Sequence, residues 1–158
     1  MYEDILVPTD GSVTSEVAVD NAVDIAEKYG ATIHALYVID VDATSYGLGT
    51  EQVDRIRQGN LDDMPEVKAD ADEATSYVAA AAEERGVDYE EHIRIGEPAR
   101  AIRNFVDDEN IDLVVMGSHG RSGLSRVILG SVAEKVLRRT HLPVLVVDSH
   151  ELHDDDEE

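Results

Sequence analysis

Residues 116–131 read MGSHGRSGLSRVILGS, a window with four glycines, four serines, Arg121 and Arg126, and no acid. The chemistry sits at its two ends: Gly117 and Gly120 open it, and after nine intervening residues Gly130 and Ser131 close it. Glycine lets backbone amides approach a ligand with no side chain between them. The first turn of a helix adds unpaired N–H groups and a positive dipole end. A glycine-bounded loop that runs into a helix is therefore a cradle for phosphate. The rest of the chain sharpens this reading, because 35 Asp and Glu stand against 13 Lys and Arg, a net charge of -22. A field of that sign repels nucleic-acid backbones and anionic lipid surfaces. Neither nucleic acid nor a membrane is an expected partner, and any anion site has to be local.

Each residue of the window also has a purely structural reading. Ser131-Val-Ala-Glu134 has the form of a capping box, in which the serine hydroxyl serves its own helix. Gly117 reads equally as a strand-to-turn glycine and His119 as a solvated loop residue, while Arg121 and Arg126 either neutralise phosphate or point outward. Asp10, at the end of the first apolar run, can accept from a ribose hydroxyl or an adenine amine. It can also close an Asx turn before Gly11. What favours a ligand site is the combination of an acid-free loop, glycines at both of its ends, and its place after a strand.

The elements that must position these residues follow from the hydrophobic pattern. Short apolar runs at Glu3 to Val7, Ala31 to Ile39, Asp112 to Met116 and Val144 to Val147 read as strands, and so does Tyr89 to Ile95. Between them, Ser12 to Tyr29, Met64 to Arg85, Pro98 to Asp108 and Ser131 to Arg139 have helical spacing, with Gly30 as a stop and Pro65 in a first turn. Asp40 to Asp63 reads as a long polar loop with a short helix near Glu51 to Arg57. Strict alternation of short apolar strands with helices predicts an α/β class, a doubly wound five-stranded parallel sheet with helices on both faces, Rossmann-like in architecture. In such folds ligands sit outside the carboxyl ends of the strands. The chain of 158 residues is sized for one domain, expected over residues 1–148, with an acidic and disordered tail over residues 149–158.

Several function classes drop out. Cysteine is absent, which removes disulfides, thiolate zinc sites and a cysteine nucleophile. The glycine spacing fits neither G-x-G-x-x-G nor the P-loop ending in G-K-[ST]. The H-x-G-H and S-G-G-x-D-S signatures of two classes of nucleotide-using enzymes are missing. So are the acidic pair, the acceptor Asp and the Lys of a receiver domain. No long apolar segment or basic, apolar leader is present, so a cytoplasmic location is expected. Ten arginines, three lysines and acids spread along the helices suggest a surface adapted to a salt-rich cytoplasm, the alternative being an ordinary acidic protein with a charged tail. Six histidines raise the possibility of metal binding, but His150 and His153 lie in the acidic tail, where weak adventitious binding is the expected outcome and no metal site is assigned.

The pattern G-x-x-G-x9-G-[ST] after a strand, matched by Gly117, Gly120, Gly130 and Ser131, resembles the nucleotide-binding motif of the universal stress protein family. The likeness runs from ILVPTDGS at Ile5 to Ser12 through LPVLVV at Leu142 to Val147. The resemblance implies a sheet order of 3-2-1-4-5, kinship with adenine nucleotide alpha hydrolase-like domains, and ATP as the ligand, with Mg2+ or Mn2+ as a possible companion. It implies that Gly117, Gly120, Gly130 and Ser131 hold the phosphates, with a backbone N–H from Val132. Thr9, Asp10 and the backbone of Val38 would contact adenine and ribose. Pro8, Met116, His119 and Arg121 complete the candidate set. It further implies a homodimer paired through the last strand, Val144 to Val147.

A nucleotide-dependent sensor or regulatory module acting on an unknown client is the favoured function. A slow ATPase or autophosphorylating enzyme is the alternative, disfavoured because the loop supplies no carboxylate for a metal or a nucleophile. A flavodoxin-like FMN carrier is the reading from another class. Thr9, Ser12, Thr14 and Ser15 would hold its phosphate, but the chain has no Trp, one Phe and six Tyr, few rings to sandwich a flavin.

Overall fold

The computed structural model describes residues 1–40, 49–58, 64–119 and 129–148. Five strands, β1 (Asp4–Pro8), β2 (Thr32–Ile39), β3 (Tyr89–Ile95), β4 (Leu113–Gly117) and β5 (Val144–Val147), form one sheet in the order β3-β2-β1-β4-β5. Every pairing is parallel. The expected doubly wound architecture is present, with the helices α1 (Val13–Tyr29), α2 (Thr50–Arg57), α3 (Pro65–Arg85), α4 (Pro98–Asp108) and α5 (Ser131–Arg139). The short α2 lies where a helix near Glu51 to Arg57 is expected. The expected tail, 149–158, falls outside the described residues.

Successive strand residues point to opposite faces, so β1, β2 and β4 each feed two cores. Ile5, Val7, Ile33, Ala35, Leu113 and Val115 pack against Ala18, Val19, Ala22 and Val23 of α1 and Val78 and Ala82 of α3. On the other face, Leu6, Leu36, Val114 and Met116 meet Ala99, Ile102, Phe105 and Val106 of α4 and Ala133 and Val136 of α5. Ile5, Leu6 and Val7 are all fully buried. That explains why β1 is a continuous apolar run rather than an alternating one.

This division of the helices positions the site. The chain leaving β1 enters α1 on one face, whereas the chain leaving β4 enters α5 on the other, and β1 pairs directly with β4. Diverging connections above two adjacent strand ends leave a crevice, the switch point where open α/β sheets accept ligands.

Candidate functional site

A cavity of about 380 Å³ occupies that crevice, within the range of about 300–1,000 Å³ usual for small-molecule sites. Its apolar wall is made by Leu36, Val38, Ile102 and Met116, and its polar side by Asp10, Asp40, His119 and the first turn of α5. Of the site residues expected from sequence, Pro8, Thr9, Asp10, Val38, Met116, Gly117, His119, Gly130, Ser131 and Val132 all line it. Gly120 and Arg121, with Arg126, lie outside the described residues.

The two loop ends are clamped together. Gly130 donates its N–H to the Ser118 carbonyl at 2.7 Å, and a Cβ on Gly130 would lie 2.8 Å from that oxygen and 3.0 Å from His119 Cα. Only glycine fits. Gly117 is equally crowded, since a Cβ there would lie 2.8 Å from Thr14 Cγ2 in the first turn of α1. Gly130 thus brings backbone to backbone, and Gly117 seats the end of β4 against the Thr14 methyl. Ser118 anchors the same corner: its N–H donates to the Val147 carbonyl at 2.8 Å, and its hydroxyl lies 3.0 Å from His119 Nδ1 and donates to Asp148 at 3.3 Å.

The capping-box expectation for Ser131 is corrected by one residue. Gly130, extended at φ -62 and ψ 153, is the N-cap of α5, and no side chain caps the helix. The Glu134 N–H bonds to the Gly130 carbonyl at 3.0 Å, so Ser131 is the first helical residue. The clamp on Ser118 is what holds Gly130 in the cap position. As a result Ser131, Val132 and Ala133, whose amides lack intrahelical partners by position, line the cavity. Donors and dipole together favour an anion there.

At the end of β1 the Asx-turn reading of Asp10 holds, for the Ser12 N–H donates to Asp10 Oδ1 at 2.9 Å and Gly11 adopts φ 80. That φ suits glycine and lets the chain turn from β1 into α1. The turn does not withdraw Asp10 from the cavity, which it lines as well. Thr9 is buried, with its N–H on the Leu36 carbonyl at 2.9 Å and its hydroxyl 3.2 Å from Ser15 Oγ and 3.4 Å from the Ala74 carbonyl. Its side chain therefore ties β1 to α1 and α3.

Sequence reading missed Leu36, Asp40, Pro98, Ile102 and Ala133, all of which line the cavity, and named Ser15, which lines it too, only for the FMN alternative. Asp40 directly follows β2, so the strand-end rule that nominates Asp10 also nominates it. Pro98 and Ile102 belong to α4, whose position over β2 and β3 no local pattern reveals. Among the described lining residues there is no Phe, Tyr, Trp, Lys or Arg.

The sequence profile of the Universal stress protein family matches residues 1–148. The chain belongs to the universal stress protein family. Universal stress protein MJ0531 of Methanocaldococcus jannaschii is 40% identical over 148 residues, spanning 93% of this chain and 82% of its own length. The solved structure of MJ0577, from the same organism, superposes with a TM-score of 0.74 at 28% identity, covering 94% of this chain and 96% of that one. A universal stress protein solved in complex with cAMP superposes with a TM-score of 0.64 at 29% identity, covering 93% and 97% of the two chains. Among the described residues, this universal stress protein has no helix long and apolar enough to cross a membrane.

Proposed function

We propose that this chain binds an adenine nucleotide, ATP in particular, in the crevice between β1 and β4, and that it acts as a nucleotide-dependent stress-response module rather than as an enzyme built for turnover. The observation that carries the reading is the N-terminus of α5, which no side chain caps and whose first residues line a cavity that apolar side chains also line. A base fits Leu36, Val38, Ile102 and Met116; phosphates fit the amides of Ser131 and Val132 beside Gly117 and Gly130. Asp10 is the hard oxygen donor that suits a Mg2+ or Mn2+ accompanying the phosphates. The relative solved with cAMP lends support to the adenine ring. The lack of an aromatic side chain on the described wall speaks against FMN.

The proposal extends to the assembly and its setting. Residues 1–148 act as one domain in the cytoplasm, the acidic surface suits a salt-rich interior, and β5 pairs with its counterpart in a second copy. β5 lies at a sheet edge and Leu145 is exposed there, and an apolar edge strand calls for a cover.

The test starts with the small molecule released on denaturation, identified by chromatography. ATP, AMP and cAMP are then titrated against wild type, Ser131→Ala and Ser131→Pro. Proline is favoured at the first helical position, and the extended Gly130 before it is compatible, so Ser131→Pro removes one amide donor and leaves the helix start intact. The expected loss relative to Ser131→Ala is about 1.5–3 kcal/mol, roughly 10- to 150-fold in Kd. Equal affinities in the two variants reject the α5 cradle.

A further inference from the structure

A second cluster lies on the α4 face of the sheet, toward the amino ends of the strands, and shares no residue with the nucleotide cavity. Asp4, His34, Glu90 and His92 come from three adjacent strands. The register pairs His34 with Glu90 and Leu36 with His92, so the four side chains share one face. His34 is buried, and its Nε2 lies 2.9 Å from Asp4 Oδ1. Its Nδ1 lies 3.2 Å from His92 Nε2, which is 3.7 Å from Glu90 Oε1. The Phe105 ring packs edge-on against both imidazoles.

The proton count is constrained. An ionised Asp4 accepts only, so His34 Nε2 carries a hydrogen and, in the neutral ring, Nδ1 presents a lone pair. A single proton on His92 Nε2 then fills the 3.2 Å gap. Two lone-pair nitrogens and a carboxylate converge in the tautomer of His92 that carries its proton on Nδ1 instead.

We propose that His34 Nδ1, His92 Nε2 and Glu90 Oε1 form a binding site for a borderline divalent transition metal, Zn2+ in the first instance. The three donors lie within 4.8 Å of one another. Bonds of about 2.0–2.1 Å put neighbouring donors of a tetrahedral zinc about 3.3–3.4 Å apart, close to the 3.2 and 3.7 Å separations found here. Asp4 supplies the outer carboxylate that orients a metal-bound histidine. Phe105 shields the imidazoles, whereas the Glu90 side chain, 59% exposed, opens the site to solvent and leaves room for a water as fourth ligand. Arg94, whose guanidinium stacks over Phe105 at 5.3 Å, opposes a cation. Asp4, Glu90 and Glu109 favour one. Binding the metal takes the other tautomer of His92: its proton moves by way of solvent from Nε2 to Nδ1, the ring stays neutral, and Nε2 is free to ligate.

The experiment uses the full chain, stripped of nucleotide and metal by a chelator and titrated with Zn2+ against a chromophoric competitor. One Zn2+ per chain is expected, with Co2+ giving the visible absorption of a tetrahedral site. His92→Gln and the exposed Glu90→Gln should each weaken binding at least about tenfold, and Asp4→Asn roughly tenfold, with the metal-free melting temperature reporting on folding. The double variant His150→Ala and His153→Ala should keep the site. Unchanged affinity in both Glu90→Gln and His92→Gln overturns the proposal. So does loss of binding in the tail variant, or Zn2+-induced shifts in imidazole resonances other than those of His34 and His92.

Discussion

The Gly130 amide and the Ser118 carbonyl are 2.7 Å apart, and the same oxygen stands 2.8 Å from where a Cβ on Gly130 would be. One contact therefore fixes the start of α5 and forbids any side chain there. Helix geometry and cradle geometry share a single constraint.

Gly130→Ala should cost about 1–3 kcal/mol, because the added Cβ meets a backbone carbonyl, which cannot swing aside. Nucleotide affinity should fall with it. Ser131→Asp separates the two effects: an acid in the first turn favours the helix by about 0.3–1 kcal/mol yet repels phosphate. A melting curve that holds or rises together with lost ATP binding is the expected pair of results for Ser131→Asp; ATP binding at wild-type strength would contradict the cradle.

Gly117→Ala should be destabilising by a similar amount, about 1–3 kcal/mol, since its Cβ meets Thr14 Cγ2 at 2.8 Å and threonine is stiff at χ1 in a helix. Thr14→Ser deletes that methyl and keeps the hydroxyl. In a double-mutant cycle followed by urea unfolding, the pair should recover most of the loss. Strict additivity would show that the contact is not the cause.

Burial pushes the His92 imidazole below its ordinary range, with the charges of His34 and Arg94 acting in the same direction and Glu90 and Glu109 against it. The unfolded chain then binds the proton first. Stability contributed by the neutral ring is complete above the unfolded value of about 6.5 and declines as pH falls from there to the folded value. Thermal melts of metal-free protein between neutral and mildly acidic pH should show this decline, and His92→Gln should flatten it. An equal slope in the variant would assign the acid sensitivity elsewhere.

If β5 joins two copies, Leu145→Lys should shift the chain from dimer to monomer on a sizing column, with ATP binding in the isolated chain retained. Lysine on an edge strand blocks strand addition. A wild type that elutes as a monomer at micromolar concentration removes the dimer from the proposal.

A chain with a net charge of -22 repels itself when counterions are dilute. Its melting temperature should rise from low to molar salt. A flat response would mean that the acidity is not an adaptation to salt.

The periodicity of the chain by itself determined the alternation of strands and helices, because buried parallel strands and amphipathic helices leave local signatures a few residues long. Gly117, Gly130 and Asp10 were also legible, since glycine spacing and strand-end carboxylates are properties of single segments. Tertiary structure alone decided that Gly130 rather than Ser131 caps α5: the deciding bond comes from Ser118, across the loop. It also decided that Leu36, Asp40 and Ile102 share a wall with them. The His34, Glu90 and His92 cluster was hidden for the same reason. His34 lies 58 residues from His92 in the chain, and only the β2 to β3 register brings their nitrogens together.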